Sequence, residues 1–394
     1  MAAGTPTPDA LVVGGGIVGL SVAWSACRAG VRVTLVDPAP GRGATWAAAG
    51  MLAPVTEVHF GEEALVALLL AAADAWPTFA ADLEGATGRR VGLRTEGTLV
   101  VAADRSDRLA IDQVTLFQRS LGLPVTALTG RDCRTREPAL AASVAGGADV
   151  PGDHQVDNRL VAEALVAACS DAGVTMVAQR AASLAVDGAG RATGVVLADG
   201  TVLGAGTVVL ALGTAWQSLG GLPAPLVPPV RPVLGVTLRL RARGTALVPT
   251  RTVRGLVHGS VSYLVPRADG TVVVGATVEE RGEPVEVTAG AVHGLLRDAR
   301  TLVPSVDEYT LVDATAGLRP GTPDNGPVVG PVDLPGLVVA GGTYRNGILL
   351  APLVGRGVAD LLAGGAVDGP LAAFGPGRFA AGAGTPVPAA GARR

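Results

Sequence analysis

The chain has 394 residues, 31 of them Lys or Arg and 34 Asp or Glu, for a formal charge of -3, with 48 % hydrophobic and 16 % charged residues. That length and apolar content suit two interlocked domains, and nothing in the near balance of charge suggests a nucleic-acid surface or a basic membrane-binding stripe. Every one of the 31 basic residues is Arg, which excludes a pyridoxal-phosphate Schiff base and a P-loop, because both need Lys. Cys27, Cys133 and Cys169 stand far apart with no CxxC spacing, which points away from a disulfide framework or a structural metal and toward a reducing cytoplasm.

In chain order, residues 1–9 read as a loose extension and Ala10–Val13 as a buried strand. A glycine turn leads into a helix from Ile17 to Ala29 with Gly30 at its C-terminal end, and Val31–Val36 is a second strand ending at Asp37, completing a βαβ unit. The uncharged run Leu11–Cys27 is not read as a signal or membrane segment, because it lacks a basic leader and Gly14, Gly15, Gly16 and Gly19 interrupt it early. Leu65–Leu83 reads as a helix broken at Pro77, Arg94–Ala102 as a strand, and Asn158–Ala172 as a helix. Short strands follow at Val174–Val177 and Ala182–Val186, then a hairpin through Asp199-Gly200, then the apolar strand Thr207–Leu212 ending at Gly213.

Pro-rich sequence from Leu222 to Pro232 marks a domain crossing. Beyond it, Leu234–Leu240, Ser262–Val265 and Thr271–Ala276 read as sheet, and Gly294–Leu302 as a helix. Near the C-terminus the strand Leu337–Ala340, a glycine turn and the helix Ile348–Leu362 repeat the strand–turn–helix pattern, and the Ala/Gly/Pro-rich tail, 380–394, reads as disordered.

Gly14-Gly-Gly-Ile17-Val18-Gly19 follows a strand and opens a helix, and an acid, Asp37, ends the next strand about 20 residues on, which is the dinucleotide-binding arrangement. Gly14 makes the turn, Gly16 lets backbone approach a pyrophosphate, Gly19 lets helix and strand pack, and Asp37 accepts from ribose hydroxyls. The small residues of Gly43-Ala44-Thr45-Trp46-Ala47-Ala48-Ala49-Gly50-Met51-Leu52 let backbone lie against a planar ligand, favouring FAD over NAD. The C-terminal stretch Thr343-Tyr344-Arg345-Asn346-Gly347-Ile348-Leu349 opens a helix whose positive end suits the flavin N1–C2=O edge.

These segments, with Tyr263-Leu-Val-Pro-Arg267, Val274-Gly-Ala-Thr277, Ala316-Gly-Leu-Arg-Pro-Gly321 and Arg345–Pro352, resemble the D-amino-acid oxidase superfamily of FAD-dependent oxidoreductases, in its glycine oxidase branch. The resemblance runs from about Ala10 to Phe379. It implies a mixed α/β fold: an FAD-binding domain on a parallel sheet (1–80, 150–220 and 325–379) and a substrate domain on a large antiparallel sheet (81–149 and 221–324). It implies oxidation of glycine or a similar small amino acid by noncovalent FAD, with molecular oxygen as acceptor giving hydrogen peroxide, and the imine either serving the thiamine thiazole or hydrolysing to the oxo acid and ammonia.

By the same resemblance Arg319 binds the substrate carboxylate from a Gly-Leu-Arg-Pro-Gly turn, Tyr263 donates its hydroxyl beside it, Arg345 lies on the substrate side, and Ala182 offers a backbone contact to adenine. Val261, Ser262 and Val278 depart from the family pattern where pocket size is set, so a sarcosine or other N-methyl-amino-acid oxidase and a D-amino-acid dehydrogenase stay open. So does a noncatalytic FAD-binding protein, although a carboxylate clamp argues against it. No nucleic acid, metal or membrane is expected as a partner, and a homo-oligomer stays open.

Overall fold

A computed structural model describes residues 7–379; the expected disordered tail, 380–394, and most of the N-terminal extension lie outside them. A six-stranded sheet carries the βαβ unit, in the order Val328–Pro331, Leu337–Gly341, Thr207–Leu210, Ala10–Val13, Val33–Val36, Thr175–Val177. All its pairings are parallel except that of Val328–Pro331 with Leu337–Gly341. Chain order reverses between Ala10–Val13 and Thr207–Leu210, so a crevice opens beyond the carboxyl ends of these two strands, where ligands bind in such sheets.

One face of this sheet is covered by the helices Ile17–Arg28, Glu63–Thr87, Asn158–Asp171 and Gly347–Leu362, which share a core including Leu20, Trp24, Trp76, Leu165 and Leu350. The other face is covered by a three-stranded antiparallel sheet, Ala181–Val186, Ala192–Leu197 and Val202–Gly204.

The expected break at Pro77 does not occur: Glu63–Thr87 is one helix of 25 residues. Pro77 sits on its exposed side, while Leu65, Leu68, Leu69, Ala72, Trp76, Phe79, Ala80 and Leu83 make a buried stripe at helical spacing. Trp76 Nε1 donates to Leu349 O at 2.9 Å, and Phe79 packs edge-on to both Trp24 and Trp76. An internal proline costs a helix about 3 kcal/mol, an amount that burying two such side chains offsets. The helix is long and apolar enough to cross a membrane by length and composition, but its apolar stripe is packed against its neighbours.

The second sheet has eight strands, in the order Thr310–Gly321, Arg231–Arg241, Thr271–Gly275, Ser260–Pro266, Thr252–Val257, Thr98–Ala102, Gly146–Val150, Thr126–Thr129. It is antiparallel except where Thr252–Val257 runs parallel to Thr98–Ala102, the seam between its two sequence-distant parts. The helix Ala289–Leu302 covers one face through Leu295, Ala299 and Leu302. Two strand expectations are corrected. The strand expected from Arg94 begins at Thr98, after Gly97 turns the chain at φ 82°. Arg319 does not lie in a turn: Thr310–Gly321 is a 12-residue edge strand, paired along Arg231–Arg241 so that Arg319 stands opposite Val233. The edge position tolerates Pro320.

Candidate active site

Between the two sheets lies a cavity of about 1090 Å³. Single-ligand pockets run to roughly 1,000 Å³, so it has room for a dinucleotide together with a small substrate. Its long arm begins at the glycine turn. Gly14 has φ 103°, and a Cβ there would come within 2.3 Å of Ala211 O; one on Gly19 would come within 1.8 Å of Gly14 O. Both must be glycine for the helix Ile17–Arg28 to seat on the sheet, and Gly19 acts through that packing rather than by lining the cavity.

Gly14, Gly16, Ile17, Val18, Asp37 and Gly213 line this arm. A Cβ on Gly213 would meet nothing within 4 Å, so open space adjoins the backbone where a cofactor would pass. Asp37 accepts from Gly15 N and Ala39 N, each at 2.7 Å, which fixes a carboxylate beside the turn with lone pairs left for ribose hydroxyls. Gln179, Arg180 and Ala181 line the far end. Ala182 does not; its carbonyl accepts from Gly220 N at 2.9 Å, inside the three-stranded sheet layer.

Over the middle of the cavity runs the small-residue segment, with Ala44, Thr45, Ala49, Gly50 and Met51 facing in. It is tied down from several directions. Thr45 Oγ1 accepts from Ile17 N at 2.9 Å, and Asn158 Nδ2 donates to Thr45 O at 2.7 Å. From the eight-stranded sheet, Thr237 Oγ1 donates to Ala47 O at 2.8 Å and Arg267 Nη2 to Ala49 O at 2.6 Å. Opposite stand Thr343, Tyr344, Arg345, Gly347 and Ile348 at the start of the 16-residue helix Gly347–Leu362. Asn346 and Leu349 are buried behind them and do not face the cavity; Leu349 gives its carbonyl to Trp76. The glycine cradle, Asp37, the tied-down backbone and this helix start together fit an FAD.

The short arm of the cavity is closed by the eight-stranded sheet. Tyr263 is 9 % exposed, and its ring lies on the bare face of Gly275, where a Cβ would come within 2.5 Å. Burial pushes its hydroxyl pKa up, against the pull of Arg319, so the phenol stays a neutral donor. The Arg319 guanidinium lies on Gly235, where a Cβ would meet Nη1 at 2.2 Å. Nη1 donates to Thr277 O at 3.1 Å, and among the described residues no carboxylate comes within 4.0 Å of this arginine.

Arg345 is in the opposite condition. Its Nε stands 2.7 Å from Glu57 Oε2 and its Nη2 3.1 Å from Glu62 Oε2. The other Glu57 oxygen accepts from Arg254, the cross-strand partner of Tyr263. Burial alone would raise the Glu57 carboxyl, but Arg254 and Arg345 outweigh it and bring it down to about 2. Asp153 pins the loop that carries Glu57, accepting from Val55 N and Thr56 N, each at 2.9 Å. Burial also holds the half-exposed His59 imidazole below its ordinary pKa, with Arg345 acting in the same direction. Glu57, His59, Arg254 and Asp153 carried no sequence signal: they sit in no recognisable motif, and Glu57 and Arg254 are 197 positions apart. Of the departures from the family pattern, Val261 and Val278 line the mouth, whereas Ser262 is buried.

A family model described as FAD dependent oxidoreductase, DAO, matches residues 9–361. Glycine oxidase of Geobacillus kaustophilus is 34 % identical over 358 residues, 90 % of this chain and 92 % of that protein. A crystal structure of glycine oxidase from the same organism superposes with a TM-score of 0.86 at 33 % identity, covering 95 % of this chain and 100 % of that one. The bifunctional protein ThiO/ThiG of Trichormus variabilis is 32 % identical over 90 % of this chain, which spans 53 % of that longer protein. The D-amino acid dehydrogenase of Methylobacterium radiotolerans is 29 % identical over 91 % of this chain and 96 % of its own length. A cradle of this shape, in a chain matched almost from end to end, places the protein in the DAO family of FAD-dependent oxidoreductases.

Proposed function

We propose that the protein oxidises glycine, or an amino acid of similar size, to the imino acid. The imine is either passed on for building the thiazole of thiamine or hydrolyses to the oxo acid and ammonia, and molecular oxygen takes the two electrons and leaves as hydrogen peroxide. The observation that carries this reading is Arg319: a guanidinium held in the cavity by backbone carbonyls, beside a buried tyrosine, with no carboxylate within 4.0 Å among the described residues. A planar fork of this kind matches a carboxylate with two parallel N–H donors.

FAD, when bound, supplies the two-electron acceptor. Arg319 holds the substrate carboxylate, the neutral Tyr263 hydroxyl donates to it, and the tied-down segment Thr45–Met51 keeps the opposite wall in place. Positioning of this kind is a large share of what a flavoenzyme's protein must provide. Glu57, at about 2, is too weak a base to take the substrate's Cα proton, and it is already engaged by two arginines. Cys27, Cys133 and Cys169 are free thiols outside the cavity, which supports a noncovalent cofactor.

The reading is tested by mixing the purified flavoprotein anaerobically with glycine, sarcosine and D-alanine and following loss of the flavin absorbance, then admitting oxygen and measuring peroxide. Bleaching by glycine with stoichiometric peroxide is expected. Bleaching only by large D-amino acids, with glycine inert, overturns it. A second reading, an N-methyl-amino-acid oxidase or a D-amino-acid dehydrogenase, is favoured by the mouth: Val261 is 49 % and Val278 64 % exposed, leaving space beyond a glycine-sized ligand. Turnover with artificial acceptors but not with oxygen would support the dehydrogenase.

A further inference from the structure

The cavity holds two places where an anion fits, and one of them is already filled by the protein. Arg319 faces the cavity with no acid beside it among the described residues. On the other side of Tyr263, Arg254 donates to one oxygen of Glu57 and Arg345 Nε pairs with the other at 2.7 Å by charge, without hydrogen-bond geometry; the Glu57 side chain is only 8 % exposed. Arg254 has no other side-chain partner among the described residues. The two places are close: Tyr263 is the cross-strand neighbour of Arg254, and its hydroxyl feels the charges of Arg319, Glu57 and Arg254. Asp153 holds the Glu57 loop by two backbone N–H groups and the Thr56 hydroxyl, so the carboxylate is fixed in the fork.

We propose that Glu57 is the specificity-determining residue of the chamber: a built-in carboxylate that occupies a second anion position and thereby turns away amines bearing a second carboxylate. The inference rests on Arg319 as the anchor for the first carboxylate. An incoming second anion would meet Glu57, which stays ionised at any physiological pH, and arginines whose charge is already neutralised. Repulsion of this sort discriminates without any loss of contact to the preferred substrate. Removing the Glu57 charge leaves Arg254 as an enclosed cation without a counter-ion, and Arg345 with Glu62 alone. A substrate's second carboxylate is then the group that satisfies it.

The test uses the holoenzyme and two matched pairs: sarcosine against iminodiacetate, and D-alanine against D-aspartate, each differing by one carboxylate. Native protein is expected to favour the monocarboxylate of each pair, and Glu57→Gln to shift the ratio of kcat/KM toward the dicarboxylate by about 30-fold or more, the lower end of what pairing or unpairing one enclosed charge produces. Glu57→Asp, which keeps the charge, should retain the native preference. A readout independent of turnover is the dissociation constant of glutarate, followed by its perturbation of the flavin spectrum: it should tighten in Glu57→Gln while that of acetate changes little. Adding Arg254→Gln to Glu57→Gln should abolish both gains.

Native enzyme that oxidises iminodiacetate as readily as sarcosine overturns the proposal without any variant, which keeps it open to refutation should Glu57→Gln fail to fold. A folded, flavin-loaded Glu57→Gln with an unchanged ratio overturns it too. If instead native protein is not reduced by any of the four amines, the fault lies with the Arg319 anchor.

Discussion

Two arginines of the same cavity, Arg319 and Arg345, lie on opposite sides of Tyr263, yet the fold leaves them in opposite electrostatic states. Arg319 rises from an edge strand onto a glycine, donates to a carbonyl, and has no acid within 4.0 Å among the described residues. Arg345 comes from the turn before the helix Gly347–Leu362 and is held by Glu57 and Glu62. Taking a charge out of water costs several kcal/mol unless a partner is supplied. For Arg345 the fold supplies that partner; for Arg319 the proposed function assigns it to the substrate. A guanidinium in an active site is thus informative about binding only once its neutralising partner is known, because one already paired has little left to offer a ligand.

The largest effect should separate the two directly. Arg319→Ala removes the charged partner proposed for the substrate carboxylate, a loss of about 2–5 kcal/mol, or roughly 30-fold to several thousand-fold in kcat/KM at tenfold per ~1.4 kcal/mol. Its FAD content should stay native, and Arg319→Lys should rescue only part, since a point charge cannot form the paired fork. Arg345→Ala should do the reverse: the thermal midpoint falls because Glu57 is left with one cation, and the KM for glycine changes much less. Steady-state kinetics beside thermal unfolding would decide it. Equal KM increases in both variants, with no loss of stability in Arg345→Ala, would erase the distinction.

The second effect belongs to the paired end alone and is read by pH. The Glu57 carboxyl sits at about 2 in the fold against 4.5 for the unperturbed group. An acid whose folded pKa is depressed contributes stability above its unfolded pKa and loses it as pH falls toward the folded one. That contribution is therefore complete above about 4.5 and lost toward pH 2, and it amounts to about 3 kcal/mol at 1.36 kcal/mol per unit. The difference in unfolding free energy between native protein and Glu57→Gln should accordingly be flat from pH 8 to 5 and shrink below 4.5. Asp153, which burial raises to about 6, titrates in both proteins and so contributes little to their difference. A difference that stays constant down to pH 3 would show that the Glu57–arginine cluster does not hold its charge as described.

How far these features could be read in advance follows from how local their causes are. The turn Gly14–Gly19 and Asp37 were legible because strand, glycine turn, helix and strand-end acid follow one another within a single βαβ unit, although the approach that requires Gly14 comes from Ala211, far off in the sequence. The helix from Asn158 was legible for a similar reason, with Asp157 capping it by accepting from Arg159 N and Leu160 N. The strand Thr310–Gly321 was not: Gly317, Pro320 and Gly321 look like a turn, and only pairing along Arg231–Arg241 makes them strand. The helix Arg105–Ser120 was missed because its apolar residues do not mark its buried face: it buries Asp107, Ile111, Thr115 and Gln118, while Leu109, Val114 and Leu116 are exposed. The Glu57 cluster was invisible because nothing at Glu57 hints at an arginine 197 positions away, or at a loop pinned by Asp153.

The smallest effects test whether the unpaired end depends on its footing. Gly235 lies in the strand Arg231–Arg241, and a Cβ there would come within 2.2 Å of Arg319 Nη1, 2.4 Å of Nη2 and 2.5 Å of Cζ. The guanidinium is the flexible end of a long side chain, so it can move aside, and the strand need not. Gly235→Ala should therefore leave the protein folded with bound FAD while displacing the fork from its carboxylate position. Overpacking of this kind costs roughly 1–3 kcal/mol, here spent mainly on binding, so the KM for glycine should rise roughly 5- to 150-fold with little change in thermal midpoint. Gly294, another cavity-lining glycine, is the control: it lies within the helix Ala289–Leu302, and a Cβ there would meet nothing within 4 Å. Gly294→Ala should raise stability by about 1 kcal/mol through helix propensity and leave the KM near native. If Gly235→Ala binds glycine as tightly as native protein does, Arg319 tolerates displacement, and the carboxylate anchor must be sought elsewhere in the chamber, with Tyr263 the next residue to replace.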